Sequence, residues 1–175
     1  MERPAAMAAH VSRRVERLKA LASLDDLAAL PLFARVPRPF ALAAGAPVAE
    51  VRFADENGGL LVPRDKAVAA EAARLAVDAV AAGATAVAVW VERNFHAGDW
   101  EHLEAARAAL PDAVLLARDL VVDPWQLARA RAAGADGIEL RPDLLGPLLG
   151  AFAASARGLG LTPLVWRDGA PAVLP

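Results

Sequence analysis

Residues 113–140 read AVLLARDLVVDPWQLARARAAGADGIEL and contain two apolar runs on either side of a helical segment. Neither run, at 113–118 or 137–140, alternates polar with apolar residues, which is typical of strands buried on both faces. Between them, Asp123 and Pro124 predict the start of a helix, because aspartate caps helices and proline fits their first turn. The stretch therefore predicts two parallel strands joined by a right-handed helical crossover.

The same alternation of strand and helix continues on both sides of this unit. Ala-Gly-Ala stands at the ends of two predicted helices, at 82–84 and at 133–135, where glycine suits the left-handed end of a helix. The pattern predicts five parallel strands, at residues 47–52, 85–91, 113–118, 137–140 and 162–167. Helices are predicted at residues 64–82, 100–110, 124–133 and, interrupted, 144–159. Five strands could form either an open doubly wound sheet or an incomplete barrel, since a closed barrel of eight typically needs about 250 residues.

The residues that precede the first strand have a pattern of their own. Apolar side chains at helical spacing predict a helix over residues 11–21, and residues 24–30 form a second predicted helix. Residues 31–40 are a connector punctuated by prolines, whose phenylalanines are expected to pack onto the body of the protein. We therefore divide the chain into a helical N-terminal extension, residues 1–46, and a partial β/α barrel, residues 47–175, within one structural domain.

The composition limits the classes of function. The 175 residues are 57% hydrophobic and 23% charged, with a formal net charge of -2, so the chain is globular and has no general attraction to nucleic acid or membranes. Four tryptophans are expected to fill the core and interfaces rather than to stack on bases. The chain has no cysteine, which excludes disulfides and thiolate metal sites. Without an apolar signal core or a membrane-spanning run, we expect a cytoplasmic protein.

Two histidines and an aspartate follow the second predicted strand. His96, Asp99 and His102 carry side chains of kinds that bind metals. Gly98 and Trp100 nevertheless indicate that the first two lie in a loop and at the start of a helix. Asp99 is better explained as the N-cap of the helix that begins at Trp100. We therefore predict no metal site.

Several motifs resemble those of the indole-3-glycerol phosphate synthase family, in the same order along the chain. LARDLVVDPWQ at 116–126, followed by ARAAGAD at 130–136, is similar to the family's third strand and the helix after it. Ala-Glu-Val-Arg at 49–52 resembles the first-strand Ala-Glu-Ile-Lys, and FHAGDWE at 95–101 resembles the loop after the second strand. Pro-Arg-Pro-Phe at 37–40 is similar to the motif that precedes the family's barrel.

This resemblance implies both a fold and an activity. The match is collinear from about residue 11 to residue 167, which implies an α/β fold: an incomplete TIM-type barrel of about five parallel strands with a helical N-terminal extension. The family's last three strands have no counterpart, so we expect a truncated chain. Family enzymes act in tryptophan biosynthesis as lyases that close the indole ring with loss of carbon dioxide and water, and they need no cofactor.

The resemblance also implies where catalytic residues would stand. Glu50 matches the first-strand glutamate, whereas Arg52 stands at the first-strand lysine. Arg118 stands at the third-strand lysine that serves as general acid, and an arginine does not release its proton under ordinary conditions. Trp166 falls at the fifth-strand glutamate and, with Phe95, is predicted to contact the substrate.

These departures predict a catalytically impaired or non-catalytic homologue that acts as a binding or interaction module. Asp55-Glu56-Asn57 also replaces the family's serine-proline-serine loop, and its two carboxylates would repel a substrate phosphate. The alternative is an active synthase, which is a decarboxylase. A further form of this alternative is one part of such an enzyme that a second chain completes.

Two interpretations of the arginines remain open. Arg52 and Arg118 could form an anion pocket that binds a phosphate or carboxylate group of a small molecule. Alternatively, both are structural and pair with Glu50 and Asp119 at the strand ends. In that case Glu50 is a salt-bridge partner and not a catalytic carboxylate.

A partial barrel is also expected to associate. Its first and fifth strands would present unpaired backbone edges, and its concave face would be an open apolar surface. That face is predicted to carry Val48, Val114, Leu116, Leu164 and Trp166. We expect a homodimer or a complementary chain to cover it, with the N-terminal helices as the alternative cover.

Overall fold

The computed structural model describes residues 2–40, 46–55, 57–167 and 169–174, and the side chains from residue 6 onward. One curled sheet of six strands forms its centre, in the order β1-β2-β3-β4-β5-β6. The strands are β1 Val48–Val51, β2 Ala86–Trp90, β3 Leu115–Arg118, β4 Gly137–Glu139, β5 Thr162–Arg167 and β6 Ala170–Val173. Strands β1 to β5 are parallel, and β6 is antiparallel to β5. The predicted α/β fold, an incomplete TIM-type barrel, is confirmed.

Eight helices lie in the described residues. They are α1 Glu2–Leu21, α2 Leu24–Ala28, α3 Ala69–Ala81, α4 Arg93–His96, α5 Trp100–Ala109, α6 Pro124–Ala132, α7 Pro142–Leu145 and α8 Leu149–Gly158. The four crossover helices α3, α5, α6 and α8 share the largest apolar cluster with the outward side chains of the sheet, which places the main core between helices and strands. None of the helices in these described ranges is both long and apolar enough to cross a membrane.

Some helix bounds differ from the predicted ones for local reasons. Residues 64–82 were predicted as one helix, but only a 3-10 turn, Arg64–Lys66, precedes α3. Val68 has an extended backbone with φ −119° and ψ 159°, so the α-helix begins after it. The predicted interruption of the helix after β4 is confirmed, since a turn at Gly146–Leu148 that contains a proline separates α7 from α8.

The N-terminal extension packs across the helix that follows β3. Val11 and Val15 of α1 lie in an apolar cluster with Leu120 and Trp125. The indole N–H of Trp125 donates to the carbonyl of Ala22 at 2.8 Å. The extension is therefore tied to the barrel by apolar packing and by a hydrogen bond to the end of α1.

Strand β6 corrects the predicted edges of the sheet. The fifth strand was predicted to expose its outer edge, but β6 returns through a turn at Gly169, which has φ 78°, and pairs with β5 from Leu164 to Arg167. Among the described residues, β1 pairs with β2 alone. One of the two predicted open edges therefore remains.

The concave face has the predicted residues but not the predicted exposure. Leu116 and Leu164 are completely buried there, in a cluster against which Val48, Val114 and Trp166 pack. Phe40, which is only 8% exposed, belongs to the same cluster. The expectation that nothing lies above this face was wrong, because the proline-rich connector carries Phe40 into it.

A buried ion-pair network joins the connector to the N-terminal ends of the strands. Asp136, directly before β4, accepts hydrogen bonds from Arg35 at 2.5 Å and from the Arg38 backbone N–H at 2.7 Å. Its second oxygen accepts from Arg107 of α5 at 2.6 Å and from the Leu115 N–H at 2.9 Å. Asp136 thus links the connector, α5 and β3 to the start of β4.

Gly98 is required where the loop after β2 passes over the strand. A Cβ at this position would overlap the carbonyl group of Trp90, with the carbonyl carbon only 2.6 Å away. We expect Gly98→Ala to lower the free energy of unfolding by about 1–3 kcal/mol in urea denaturation. In Gly150→Ala of α8 a Cβ meets nothing within 4 Å, so this control should be neutral or slightly stabilising. Equal stability of the two variants would contradict the predicted overlap.

Candidate active site

A cavity of about 420 Å³ opens at the carboxyl ends of the parallel strands. Active sites of β/α barrels lie at this end, where the loops after the strands meet. The cavity brings together three of the five site residues predicted from the sequence: Arg52, Arg118 and Trp166. Other residues around it include Trp90, His96, Glu139, Arg141 and Asp143.

Arg118, the last residue of β3, binds two carboxylates. Its Nη1 atom lies 2.8 Å from Glu50 Oε2. Its Nε and Nη2 atoms donate to the two oxygens of Glu139, at 2.7 and 3.2 Å, in a bidentate pair. Arg118 is 8% exposed and Glu139 is 4% exposed, so the ion pair between these two residues is largely shielded from water.

Two indole rings enclose the same guanidinium. The Arg118 Cζ atom lies 4.3 Å from the ring centroid of Trp90 and 3.9 Å from that of Trp166. Both distances are within the range of cation–π attraction. Trp90 is itself held in place, because its Nε1–H donates to Glu50 at 3.3 Å and its ring stacks on His96 at 3.8 Å.

We call the four residues around the guanidinium the Arg118 cage. They come from the other four parallel strands, near the carboxyl end of each: Glu50, Trp90, Glu139 and Trp166. Side chains two residues apart on a strand share a face, and Trp90 and Arg118 lie side by side in the register of β2 and β3. The curl of the sheet then turns these side chains toward one another.

The structural interpretation predicted Glu50 and Asp119 as the carboxylate partners. Arg118 does pair with Glu50, but the prediction of Asp119 as the second partner was wrong. Consecutive strand residues point to opposite faces, so Asp119 lies on the other side of the sheet from Arg118. It accepts hydrogen bonds from Gln126 Nε2 at 2.7 Å and from the Leu120 N–H at 2.9 Å. Glu139 takes its place beside Arg118.

Arg52 and Phe95 lie apart from the cage. Arg52 is exposed at the cavity, close enough to Asp55 to act on its charge. Phe95 meets the ring of His10 on α1 edge to face at 5.6 Å and packs with the N-terminal extension. Phe95 is not among the residues around the cavity, so its predicted contact with a substrate has no geometric support.

The loop after β1 holds its own carboxylate. Asp55 accepts the backbone N–H groups of Asn57 and Gly59, both at 2.8 Å. These bonds, that of Gly59 first, hold the pKa of Asp55 below its ordinary value. Glu56, the other carboxylate predicted to repel a phosphate, lies outside the described residues.

The histidines and Asp99 serve separate purposes. The Asp99 side chain accepts the N–H of Glu101 at 3.4 Å and caps α5, which confirms its predicted role. His96 stacks on Trp90, and His102 Nε2 lies 3.2 Å from the carbonyl oxygen of Ala67. Across the residues with described positions, no group of three or more acidic or histidine side chains could hold a metal ion.

The buried carboxyl group of Asp119 is expected to make the free energy of unfolding depend on pH. Burial raises its pKa to about 6, above the ordinary value near 4 of an unfolded chain. The folded state therefore holds the proton more tightly, and stability should fall as the pH rises from about 4 to about 6, by roughly 1.4 kcal/mol for each unit between the two pKa values. Asp119→Asn should flatten this slope in urea denaturations at stepped pH.

Glu92 is a buried carboxylate whose pKa is shifted in the opposite direction, so its effect on stability has the opposite dependence on pH. Burial acts to raise the pKa of Glu92, but hydrogen bonds from His96 and the N–H groups of Asn94 and Phe95 outweigh it and lower the pKa. Glu92 therefore stabilises the fold above its unfolded pKa near 4 and loses this effect as the pH falls. An unchanged slope between pH 4 and 6 in Asp119→Asn would exclude Asp119 as its source.

Sequence reasoning missed Trp90 and Glu139. Both stand at the carboxyl end of a run that was correctly predicted as a strand. A charged or aromatic residue at that position in a barrel strand faces the catalytic end. That signal was present in the sequence and could have placed both residues in the site.

Comparison with known proteins identifies the family of this chain. The family model for indole-3-glycerol phosphate synthase matches residues 8–168. The chain belongs to the indole-3-glycerol phosphate synthase family. The synthase of Rhodospirillum rubrum is 41% identical over 133 residues, which cover 71% of this chain and 48% of that protein. The synthase of Burkholderia vietnamiensis is 37% identical over 170 residues, covering 94% and 60%.

The predicted family is thereby confirmed. The chain spans about half the length of the curated relatives it matches. The part of the chain that the family model matches, residues 8–168, includes Arg118 and the four residues of its cage.

Proposed function

We propose that this chain is a non-catalytic homologue of indole-3-glycerol phosphate synthase. The observation that carries the proposal is the state of Arg118, at the position that the resemblance gives to the general-acid lysine. Its guanidinium is bound by two carboxylates and enclosed by two indoles. A general acid must release a proton to the reacting group, and a guanidinium does not do so under ordinary conditions.

The side chains at two other family positions, Glu50 and Trp166, are also engaged in contacts within the cage. Glu50, at the position of the first-strand glutamate, binds Arg118 and the indole N–H of Trp90. Trp166 stands where the resemblance places a carboxylate, and it packs on the guanidinium. Three positions that would perform acid, base and substrate-binding work are therefore engaged with one another.

A binding role without turnover is compatible with the cavity. Its volume of about 420 Å³ is within the usual range for small-molecule sites. Arg141 at its border is paired with Asp143 at 2.7 Å, whereas Arg52 is exposed. Arg52 is therefore the candidate contact for an anionic group of a small ligand.

The purified chain is expected to show no ring closure of the anthranilate-derived ribulose phosphate, because its general-acid position carries Arg118. The measurement is a continuous fluorescence assay for the indole product, with a full-length synthase from a relative as positive control. The Arg118→Ala variant serves as the matched background. Steady turnover by the native chain that disappears in the variant would overturn the proposal.

One observation favours a second candidate, a part of an active synthase that another chain completes. In the described part of the chain β1 pairs on one side only, and an unpaired strand edge can accept another strand. A second copy that pairs there would give the expected homodimer. If this candidate is correct, adding a fragment that carries the remaining strands of a relative should restore turnover. Sedimentation equilibrium should detect both the complex with such a fragment and the homodimer.

A further inference from the structure

The Arg118 cage has the chemistry of a cation site. Indole faces attract cations through their electron-rich surfaces, and carboxylates bind a guanidinium through paired hydrogen bonds. Here two indoles and two carboxylates surround one guanidinium, with Cζ to ring-centroid distances of 3.9 and 4.3 Å and N···O distances from 2.7 to 3.2 Å. Each of the four groups favours a positive charge.

We propose that the cage formed by Glu50, Trp90, Glu139 and Trp166 is a binding site for guanidinium-type cations, which the Arg118 side chain fills from within. The ligand class is a flat, singly charged cation, because its faces must meet the indoles while its N–H edges meet the carboxylates. This assigns a cationic ligand where the sequence suggested an anion pocket. These contacts define a ligand site that is separate from the proposed loss of catalysis.

Part of the cage is held in place by contacts that do not need Arg118. Trp90 stacks on His96 and donates to Glu50, and the β3 backbone pairs with its neighbours through main-chain groups, including the Val91 N–H bond to the carbonyl of residue 118 at 2.9 Å. Removing the side chain therefore leaves an acidic, aromatic hole that opens into the cavity. A small cation can reach it from solvent.

Arg118→Ala is expected to bind free guanidinium. Its melting temperature should rise saturably, by about 2–4 °C, in millimolar guanidinium chloride relative to sodium chloride of equal ionic strength. The native chain, whose cage is full, should show no rise. Arg141→Ala is the matched control. It also removes a guanidinium from the border of this cavity, but the Arg141 side chain pairs with the carboxylate of Asp143 and does not lie in the cage. A double variant, Arg118→Ala with Glu139→Gln, should lose the rise.

The result that overturns the proposal is a melting temperature of Arg118→Ala that stays constant or falls with guanidinium as in the native chain. If this variant does not fold, the native protein provides a second test by ¹⁵N NMR. Ring currents from two indoles should displace the Arg118 Nε–H resonance from those of exposed arginines, and Trp166→Leu should move it back. A resonance at the ordinary position in the native protein contradicts the cage. Neither readout uses turnover, so failure here and failure of the proposed function are distinguishable.

Discussion

Replacing Asp136 with alanine is expected to lower the free energy of unfolding by about 3–5 kcal/mol. The carboxylate is completely buried and binds Arg35 and Arg107, together with two backbone N–H groups. Removal leaves the Arg107 guanidinium, whose side chain is only 2% exposed, without its counter-charge. Burial of an unpaired charge is among the most destabilising changes in a folded protein. Urea denaturation followed by tryptophan fluorescence measures the loss.

Asp112 provides the matched control for that experiment. It pairs with Arg38 in the same region, but its side chain is 88% exposed. Exposed ion pairs contribute at most about 1 kcal/mol, so Asp112→Ala should change stability little. Similar losses in the two variants would show that the buried network has no special role.

Arg118→Ala is expected to have a comparable effect at the opposite end of the barrel, a loss of about 3–5 kcal/mol. The substitution leaves Glu139, with a side chain that is 5% exposed, without its bidentate partner, and it removes both contacts with indoles. Arg118→Lys keeps the charge but not the planar, bidentate geometry, so its loss should be intermediate. Urea denaturation of the three proteins without added guanidinium gives the values.

Arg141→Ala tests whether burial is the reason for this effect. The Arg141–Asp143 pair joins side chains that are 30% and 45% exposed, and its removal should therefore reduce stability by less than about 1 kcal/mol. A loss in Arg118→Ala that does not exceed the loss in Arg141→Ala would contradict the cage as a stabilising arrangement.

The parts of the fold that local sequence determines were predictable. The apolar runs gave the five parallel strands, since a strand buried on both faces needs apolar residues at consecutive positions. Asp123 and Asp99 gave the starts of α6 and α5, because an N-cap acts on the N–H groups two or three residues ahead. Both caps are present in the structure.

The parts that depend on distant residues were not predictable. The partners of Asp136 lie on α5, on β3 and in the connector, and no local pattern brings these together. The cover that Phe40 provides depends on the path of the connector in space. Strand β6 was missed because its short, proline-containing sequence has little strand character by itself and gains it by pairing with β5.

The candidate site shows the same division at the level of single residues. The family motifs placed Glu50, Arg118 and Trp166 at strand ends, and the structure brings these three together. Which carboxylates bind Arg118 depended on the direction of each side chain. Asp119 is next in sequence but faces away, whereas Glu139 is distant in sequence and lies beside it.

According to the proposed function, Arg118 is bound within the cage and cannot provide the proton that ring closure requires. A single-turnover experiment tests this, with the native chain in excess over the anthranilate-derived ribulose phosphate, stopped at increasing times and analysed for the indole product. Excess protein removes product release from the measurement, so even one slow ring closure at each site is detected. We predict that no product forms above the level of the Arg118→Ala variant. Product that accumulates toward one equivalent of substrate in the native chain alone would contradict the claim.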